Sequence, residues 1–163
     1  MNYFIIIRGA LGVGKTSIAK GLAKKLNGNC ISIDKILEKN RLDKIKGKCI
    51  PKRNFIEADK IILPKVKKYL HNGKVVIFDG NFYHKKQIEH LIKNLKYKHF
   101  IFTLKARLLV CIERDSKRKR TYGKKAAKAV HNLVSKFDYG TIINTDNKTE
   151  KDVIKEILIF LKD

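Results

Sequence analysis

The feature that most constrains this chain is a glycine-rich octapeptide near its N-terminus, Gly9-Ala10-Leu11-Gly12-Val13-Gly14-Lys15-Thr16. It fits the pattern G-x-x-x-x-G-K-[ST], in which successive backbone N–H groups converge on phosphate oxygens. An apolar run at residues 3–7 precedes it, and residues 17–26 have the apolar spacing of a helix. Strand, glycine loop and helix form the context that the pattern requires, so the sequence predicts that this chain binds a nucleoside triphosphate. The alternative is an ordinary glycine-rich turn.

The residue types of the octapeptide predict how a nucleotide would be held. Lys15 should reach the β- and γ-phosphates, and the Thr16 hydroxyl should hold Mg²⁺. The N-terminus of the following helix adds a positive partial charge. The residues expected to bind the nucleotide here are Gly9, Ala10, Leu11, Gly12, Val13, Gly14, Lys15, Thr16 and Ser17.

The rest of the chain alternates short apolar runs with helical segments. The runs, which are not amphipathic, occupy residues 3–7, 30–33, 74–78, 98–104 and 141–143. This alternation predicts an α/β fold with a parallel sheet covered on both faces. No repeat or linker interrupts it, so we expect a single domain over residues 1–163. Pro64 falls within the helical pattern of residues 55–69 and predicts a kink or a break there.

The net charge of +23 suggests a polyanionic partner. However, 31 of the 38 basic residues are lysines spread along the whole chain, which a general compositional bias would also produce. The arginines are more informative, because four of the seven fall within residues 107–120 and the planar guanidinium suits phosphate. Three widely spaced cysteines favour a reducing cytoplasm over a disulfide framework or a zinc site. No stretch approaches a membrane span, so we expect a soluble protein.

Two aspartates follow predicted strands, at the edge of the sheet where ligands of α/β folds bind. Asp34 ends the second run and would face the same crevice as the glycine loop; the alternative is that it caps the following helix. Asp79 follows the four apolar residues 75–78, as in a Walker B segment, and would hold Mg²⁺ against Thr16.

Two basic segments flank the expected site. Residues 35–55 contain eight basic and two acidic side chains and predict either a mobile flap over an acceptor or a solvated charged face. Residues 114–128 contain eight basic and one acidic side chain. There Arg114 and Arg118 would share one face if the stretch is helical, which favours a lid that closes over phosphates (about residues 114–123) over a solvated or nucleic-acid-binding patch.

With the glycine loop, Asp34, Asp79-Gly80 and Arg114-x-x-x-Arg118, the chain resembles the small P-loop kinases over nearly its whole length. The resemblance implies a P-loop NTPase three-layer sandwich with strand order 2-3-1-4-5, and the use of ATP and Mg²⁺. It also implies that Arg114 lies against the adenine, that Arg118 reaches the transferring phosphoryl group, and that the turn containing Thr145 borders the base.

Two branches of that family differ in their acceptor. Adenylate-kinase-like enzymes have an arginine four residues after the aspartate of the Asp-Gly pair, where this chain has Tyr83, although the glutamine eight residues after that aspartate is present as Gln87. Kinases of hydroxyl acceptors, such as the polynucleotide, gluconate, chloramphenicol and seryl-tRNA types, have a carboxylate after strand two, where Asp34 stands. A hydroxyl benefits from a base and a phosphate acceptor does not.

The sequence therefore predicts a kinase that transfers the γ-phosphoryl group of ATP to a hydroxyl. Lys15, Asp34 and Arg118 are the expected catalytic residues, and Thr16 and Asp79 the expected metal ligands. The acceptor would be a small molecule, a nucleoside or a nucleic-acid 5′-hydroxyl, the last opposed by few aromatic residues for base stacking. A nucleoside monophosphate kinase and a nucleotide-dependent switch are the alternatives, and the oligomeric state is open.

Overall fold

The computed structural model describes residues 2–162 as an α/β sandwich. Its five strands form one parallel sheet in the order β2-β3-β1-β4-β5, as the resemblance implies. The strands are β1 (Tyr3–Gly9), β2 (Asn29–Ser32), β3 (Val76–Gly80), β4 (Lys98–Lys105) and β5 (Thr141–Asn144). Three of the five predicted runs begin at the same residue as the observed strand, and the other two begin and end one or two residues away from the observed bounds.

Seven helices cover the two faces of the sheet within the described residues. They are α1 (Lys15–Lys25), α2 (Ile33–Lys39), α3 (Lys52–His71), α4 (Lys85–Leu95), α5 (Leu108–Ser116), α6 (Lys124–Val134) and α7 (Glu150–Phe160). Successive side chains of β1 point to opposite faces. Phe4 and Ile6 pack with α2, α3 and α4, whereas Ile5 and Ile7 pack with α1, α5 and α7. Full burial of β1 on both faces explains why residues 3–7 are continuously apolar.

The break predicted at Pro64 is wrong, because α3 runs without interruption from Lys52 to His71. Proline removes one backbone donor and thus frees a carbonyl one turn earlier. Pro64 and Lys60 both lie on the exposed side of α3, so water can bond that carbonyl. On the opposite side, buried Leu63 and Val66 hold the helix against the core.

Arg8 is fully buried at the centre of the fold, at the end of the apolar run of β1. Its guanidinium donates to the Phe82 carbonyl (3.3 Å), to Thr103 Oγ1 (3.0 Å), and to the carbonyls of Phe137 (3.1 Å) and Val134 (3.1 Å). It therefore joins β1 to the loop after β3, to β4 and to the C-terminal end of α6. Burial lowers its pKa to about 10, so it stays charged at neutral pH.

A second buried polar cluster lies between α3 and α4. Gln87 Nε2 donates to Asp59 Oδ1 (3.0 Å), and His90 Nδ1 lies 3.1 Å from Asp59 Oδ2. Burial raises the pKa of Asp59 to about 8 and lowers the pKa of His90. Gln87, which matched the adenylate-kinase pattern in sequence, is therefore buried in a contact between helices.

This cluster should make stability depend on pH. The folded pKa of Asp59 lies above its unfolded value near 3.8, so the contribution of the protonated carboxyl is full below that value. It is lost as the pH rises from about 4 to about 8. Asp59→Asn keeps the hydrogen-bonding shape without the titration, and we expect it to be more stable than the wild type at pH 9 by about 1–2 kcal/mol.

Urea denaturation across that pH range measures this difference. Asp43→Asn, the same change at an exposed position, is the matched control and should follow the wild-type pH dependence. Identical pH dependence of Asp59→Asn and the wild type would show that Asp59 does not retain its proton.

Candidate active site

The loop between β1 and α1 forms a cradle that only glycine permits at two positions. Gly12 and Gly14 have φ values of 78° and 100°, in the left-handed region. A Cβ atom at Gly12 would also lie 2.2 Å from the Cys111 carbonyl oxygen of α5. The loop thus packs directly on α5, and it leads into the N-terminus of α1, where unpaired N–H groups favour an anion.

A cavity of about 210 Å³ opens in front of this cradle, lined by Gly12, Gly14, Lys15, Thr16, Ser17, Arg114 and Arg118. The other four expected nucleotide-binding residues lie outside it. Gly9 packs against Val13 and Leu104, and Ala10 accepts a 2.8 Å hydrogen bond from Lys15 Nζ. Leu11 lines the neighbouring crevice described below. The cationic groups around the cavity suit phosphate.

Thr16 and Asp79, the two expected Mg²⁺ ligands, are in direct contact. Thr16 Oγ1 donates a 2.8 Å hydrogen bond to Asp79 Oδ2, and Asp79 is almost fully buried. A hydroxyl and a carboxylate are oxygen ligands of the kind that Mg²⁺ takes, with phosphate and water completing its shell. Among residues 2–162 no group of three or more His, Cys, Asp or Glu side chains could hold a metal by itself. The donor set therefore fits a metal that arrives with a nucleotide.

Arg114 and Thr145 are in contact beside Val13 of the glycine loop. The guanidinium of Arg114 donates to Thr145 Oγ1 (3.0 Å) and to the Thr145 carbonyl (2.8 Å). Thr145 is buried, and its hydroxyl also lies 3.4 Å from the Val13 carbonyl of the glycine loop. A second cavity of about 180 Å³ adjoins this pair, and Arg114 lines both cavities. Arg114 thus stands between the cavity in front of the glycine loop and the one beside the turn after β5.

The basic lid is held in place by its single acidic residue. Asp115 is almost fully buried and accepts hydrogen bonds from the backbone N–H groups of Tyr122 (3.1 Å) and Gly123 (3.0 Å). Helix α5 ends at Ser116, so Arg118 lies just beyond the helix that carries Arg114. A backbone turn from Arg118 N–H to the Asp115 carbonyl (3.0 Å) still brings both arginines to the phosphate cavity.

Asp34 lies in the first turn of α2, because the helix begins one residue before it. The helix is capped by Ser32, whose hydroxyl accepts from Lys35 N–H at 3.4 Å, so the capping role considered for Asp34 is wrong. The Asp34 carboxylate is open to a crevice, while protein crowds its other sides. This desolvation raises its pKa; the charge of Asp79 adds to the rise, and those of Lys15 and Arg118 oppose it.

Lys15 is a buried cation that interacts electrostatically with Asp34. Burial lowers the pKa of its ammonium group, and the carboxylates of Asp79 and Asp34 oppose that change. The four side chains Lys15, Asp34, Asp79 and Arg118 therefore share one electrostatic neighbourhood, although they come from four separate elements. A base with a raised pKa beside two cations can accept a proton close to phosphate.

The crevice that Asp34 faces has a volume of about 290 Å³ and lies between α2, α6 and the loop after β3. Residues 40–51 close one side of it. This irregular segment is shorter than the predicted flap, because residues 35–39 belong to α2 and residues 52–55 to α3. Lys48 is the one basic side chain of residues 40–51 that lines the crevice; Lys44 and Lys46 face solvent.

The flap segment 40–51 is tied to the loop after β3. The Tyr83 hydroxyl accepts a 3.1 Å hydrogen bond from Ile50 N–H, and His84 Nε2 lies 2.9 Å from the Ile50 carbonyl. Phe82, which precedes Tyr83 in the same loop, has a φ of 48°, a backbone conformation that is uncommon for a bulky residue. Its carbonyl accepts a hydrogen bond from the Arg8 guanidinium. Tyr83, at the position of the adenylate-kinase arginine, thus supports the flap. No sequence pattern predicted this contact.

Fold and site together define a P-loop nucleotide-binding protein of the nucleoside-triphosphatase type. A family model described as an AAA domain (AAA_33) matches residues 4–137, and the chain belongs to that family. A search of curated protein sequences finds no significant match. None of the described helices is long and apolar enough to traverse a bilayer.

Solved kinase structures share this fold over almost their entire length. A sugar kinase from Janibacter sp. HTCC2649 superposes with a TM-score of 0.80 at 14% identity, covering 99% of this chain and 95% of that one. APS kinase of Mycobacterium tuberculosis, solved with AMPPNP and APS, gives 0.74 at 12%, covering 99% and 98%. Shikimate kinase from Bacteroides thetaiotaomicron gives 0.68 at 19%, covering 100% of both chains. The resemblance to small P-loop kinases is confirmed at the level of the fold.

Proposed function

We propose that this protein is an ATP-dependent kinase that phosphorylates a hydroxyl group of a small molecule. The observation that carries the proposal is the position of Asp34, which faces a separate crevice yet shares the electrostatic neighbourhood of Lys15 and Arg118. The cavity at the glycine loop and the crevice of Asp34 adjoin at the Asp34 carboxylate and the cations Lys15 and Arg118. This arrangement suits transfer of a phosphoryl group from a nucleotide to an alcohol. The fold, shared with kinases of several acceptors, supports the same reading.

The residues on the phosphate side would neutralise and orient the transferring group. The backbone of the glycine loop and the N-terminus of α1 bind phosphate oxygens, and Lys15 and Arg118 offset the charge that develops on them. Arg114, which hydrogen-bonds Thr145, would flank the nucleotide base. Mg²⁺, which neutralises phosphate charge when bound, would be held by Thr16 and Asp79.

On the acceptor side, Asp34 would accept the hydroxyl proton as the oxygen attacks the γ-phosphorus in line. The O–H bond breaks, the new P–O bond forms, and the bridging P–O bond breaks to release ADP. The raised pKa of Asp34 makes its carboxylate a stronger base than an ordinary aspartate. The alternative of a nucleoside monophosphate kinase is disfavoured, because Tyr83 occupies the place of the phosphate-gripping arginine and is engaged by the flap.

The test is ATP consumption by the pure protein with and without a panel of alcohols, sugars, nucleosides and 5′-hydroxyl oligonucleotides. Stimulation by a small hydroxyl compound, with labelled phosphate recovered on it, is the expected result. Labelling of oligonucleotides alone, with affinity that falls steeply with salt, would assign a nucleic-acid acceptor instead. Slow hydrolysis that no acceptor changes would favour a nucleotide-dependent switch.

Asp34→Asn separates a catalytic role from a structural one. The change keeps the size of the side chain and removes its ability to accept a proton, so turnover should fall about a hundredfold or more. ATP affinity and melting temperature should stay close to those of the wild type, because Ser32, not Asp34, caps α2. Parallel losses of ATP affinity and thermal stability would instead mark Asp34 as a structural residue. Glu57→Gln, the corresponding change at an exposed position of α3 outside the crevice, is the control.

A further inference from the structure

The crevice of Asp34 has a charge opposite to that of the rest of the molecule. The chain has 38 basic and 15 acidic residues, yet three carboxylates line the crevice, those of Asp34, Glu38 and Asp43. Only two cations, Lys48 and Arg120, line it with them. Within residues 2–162 none of these three carboxylates forms an ion pair. The charges of Glu38 and Asp43 are therefore available to a ligand and disfavour an anionic one, whereas that of Asp34 is offset in part by Lys15 and Arg118.

An independent observation concerns Asn81, which lines the same crevice. Its side chain is more than nine-tenths buried, and its Oδ1 atom has no hydrogen-bond partner within the described part of the chain. A buried amide oxygen without a partner is costly unless a ligand donates a hydrogen bond to it. Asn81 follows Asp79-Gly80 directly and is held by the strained loop at Phe82, so it is a positioned group. Its unpartnered oxygen points to a ligand with a hydrogen-bond donor at this end of the crevice.

The other walls of the crevice are apolar. Leu11, Leu37, Ile50, Val130 and Leu133 line it together with the Tyr83 ring. The crevice continues into an open groove of about 720 Å³ along α6, and the two share Ile45, Lys48, Tyr122, Ala126, Ala129 and Leu133.

Two large side chains at the junction of crevice and groove are exposed. Ile45 is 68% exposed and Tyr122 54% exposed, one on the flap and one on the lid. Apolar surface that is continuous with a reactive crevice favours an apolar part of the same ligand, because that ligand would remove it from water.

We propose that the acceptor is an amphipathic alcohol, whose polar end carries hydrogen-bond donors and no anionic group, and whose apolar body lies along α6 between Ile45 and Tyr122. The hydroxyl end lies at Asp34, with Glu38 and Asn81 as partners for its further donors. A phosphorylated compound, a sugar acid and a nucleic-acid end all bring negative charge to the three carboxylates. A simple polyol leaves the groove along α6 uncovered. This inference rests on the proposed function, because it takes the crevice of Asp34 as the acceptor site.

The test is a binding comparison that does not depend on turnover. Ligand-observed NMR titrations of the wild type without nucleotide compare phenylalaninol, 3-phenylpropane-1,2-diol, 3-phenyllactate and glycerol. The first two should bind at least about tenfold more tightly than the anionic hydroxy acid and the polyol without an apolar body. Equal affinities, preference for phenyllactate, or no binding of any member at millimolar concentration would overturn the proposal.

Variants of the groove and of the crevice show where the phenyl compounds bind. Ala129→Phe fills the groove from an exposed position of α6 and should abolish the advantage of the phenyl compounds over glycerol. Lys128→Phe, the neighbouring exposed position outside the groove, should leave it unchanged. Glu38→Lys should shift the preference from phenylalaninol towards phenyllactate by about tenfold. Unchanged preferences in Ala129→Phe and Glu38→Lys would overturn the proposal. Selective binding without phosphate transfer to any alcohol would refute the proposed function alone.

Discussion

Lys15→Ala is expected to reduce acceptor-dependent ATP turnover by at least about a hundredfold, the scale seen when one group that stabilises developing phosphate or oxyanion charge is removed. Lys15 is the one ammonium group that is both buried and part of the phosphate cavity in the described chain. Its bond to the Ala10 carbonyl (2.8 Å) also keeps the ammonium at the mouth of the glycine loop. Steady-state kinetics with saturating ATP measures the loss.

The fold should survive this change. Burial lowers the pKa of Lys15, so its charge is held at a cost in free energy, and an alanine removes that cost together with one hydrogen bond. A melting temperature close to that of the wild type therefore accompanies the loss of turnover. Lys20→Ala, at an exposed position of the same helix, is the matched control and should keep full activity. Near-normal activity of Lys15→Ala would show that the glycine loop does not bind the transferring phosphate.

Arg8→Met should lower the free energy of unfolding by about 3 kcal/mol or more, because removing one partner of a buried hydrogen-bonded charge leaves the other groups unpaired. The carbonyls of Phe82, Val134 and Phe137 would lose their donor in the interior of the protein. The guanidinium also lies 4.3 Å from the centroid of the Phe137 ring, a contact that methionine replaces only in part. Urea denaturation measures the change.

Arg53→Met makes the same chemical change at an exposed position of α3 and should alter stability by less than about 0.5 kcal/mol. Arg8→Lys keeps the charge but has fewer donors in a less suitable geometry, so an intermediate loss is expected. If Arg8→Met were as stable as the wild type, water or a rearranged α6 would have to satisfy the three carbonyls. The binding preference of the crevice should also weaken in Arg8→Met, because Arg8 holds the loop that carries Asn81.

Much of the phosphate side of the site could be predicted because its signals are local in sequence. The backbone path of the glycine loop requires glycine at positions 12 and 14, and Lys15 and Thr16 follow it directly. The proximity of Thr16 and Asp79 follows from the predicted topology although 63 residues separate them, because neighbouring parallel strands end at one edge of the sheet. The strand order came from the family resemblance, since the runs alone do not fix it.

The acceptor side could be predicted only in outline, because its residues become neighbours through packing. Asn81 carried no motif, and its buried position follows from the left-handed backbone at Phe82 and from Arg8 beneath that loop. For the basic segment at residues 35–55 the sequence left a flap and a solvated face open, and in the structure most of its cations face solvent while its acidic side chains line the crevice. The single acid of the lid, Asp115, was visible in sequence as the exception in a basic run.

The sequence by itself therefore determined a nucleoside-triphosphate site on a parallel α/β sheet, because phosphate binding depends on backbone conformation and on residues a few positions apart. Tertiary structure decided which side chains surround the acceptor. Charge and burial at that crevice depend on how α2, the flap segment 40–51, the lid and α6 converge, and no local pattern records the direction in which an exposed lysine or glutamate points.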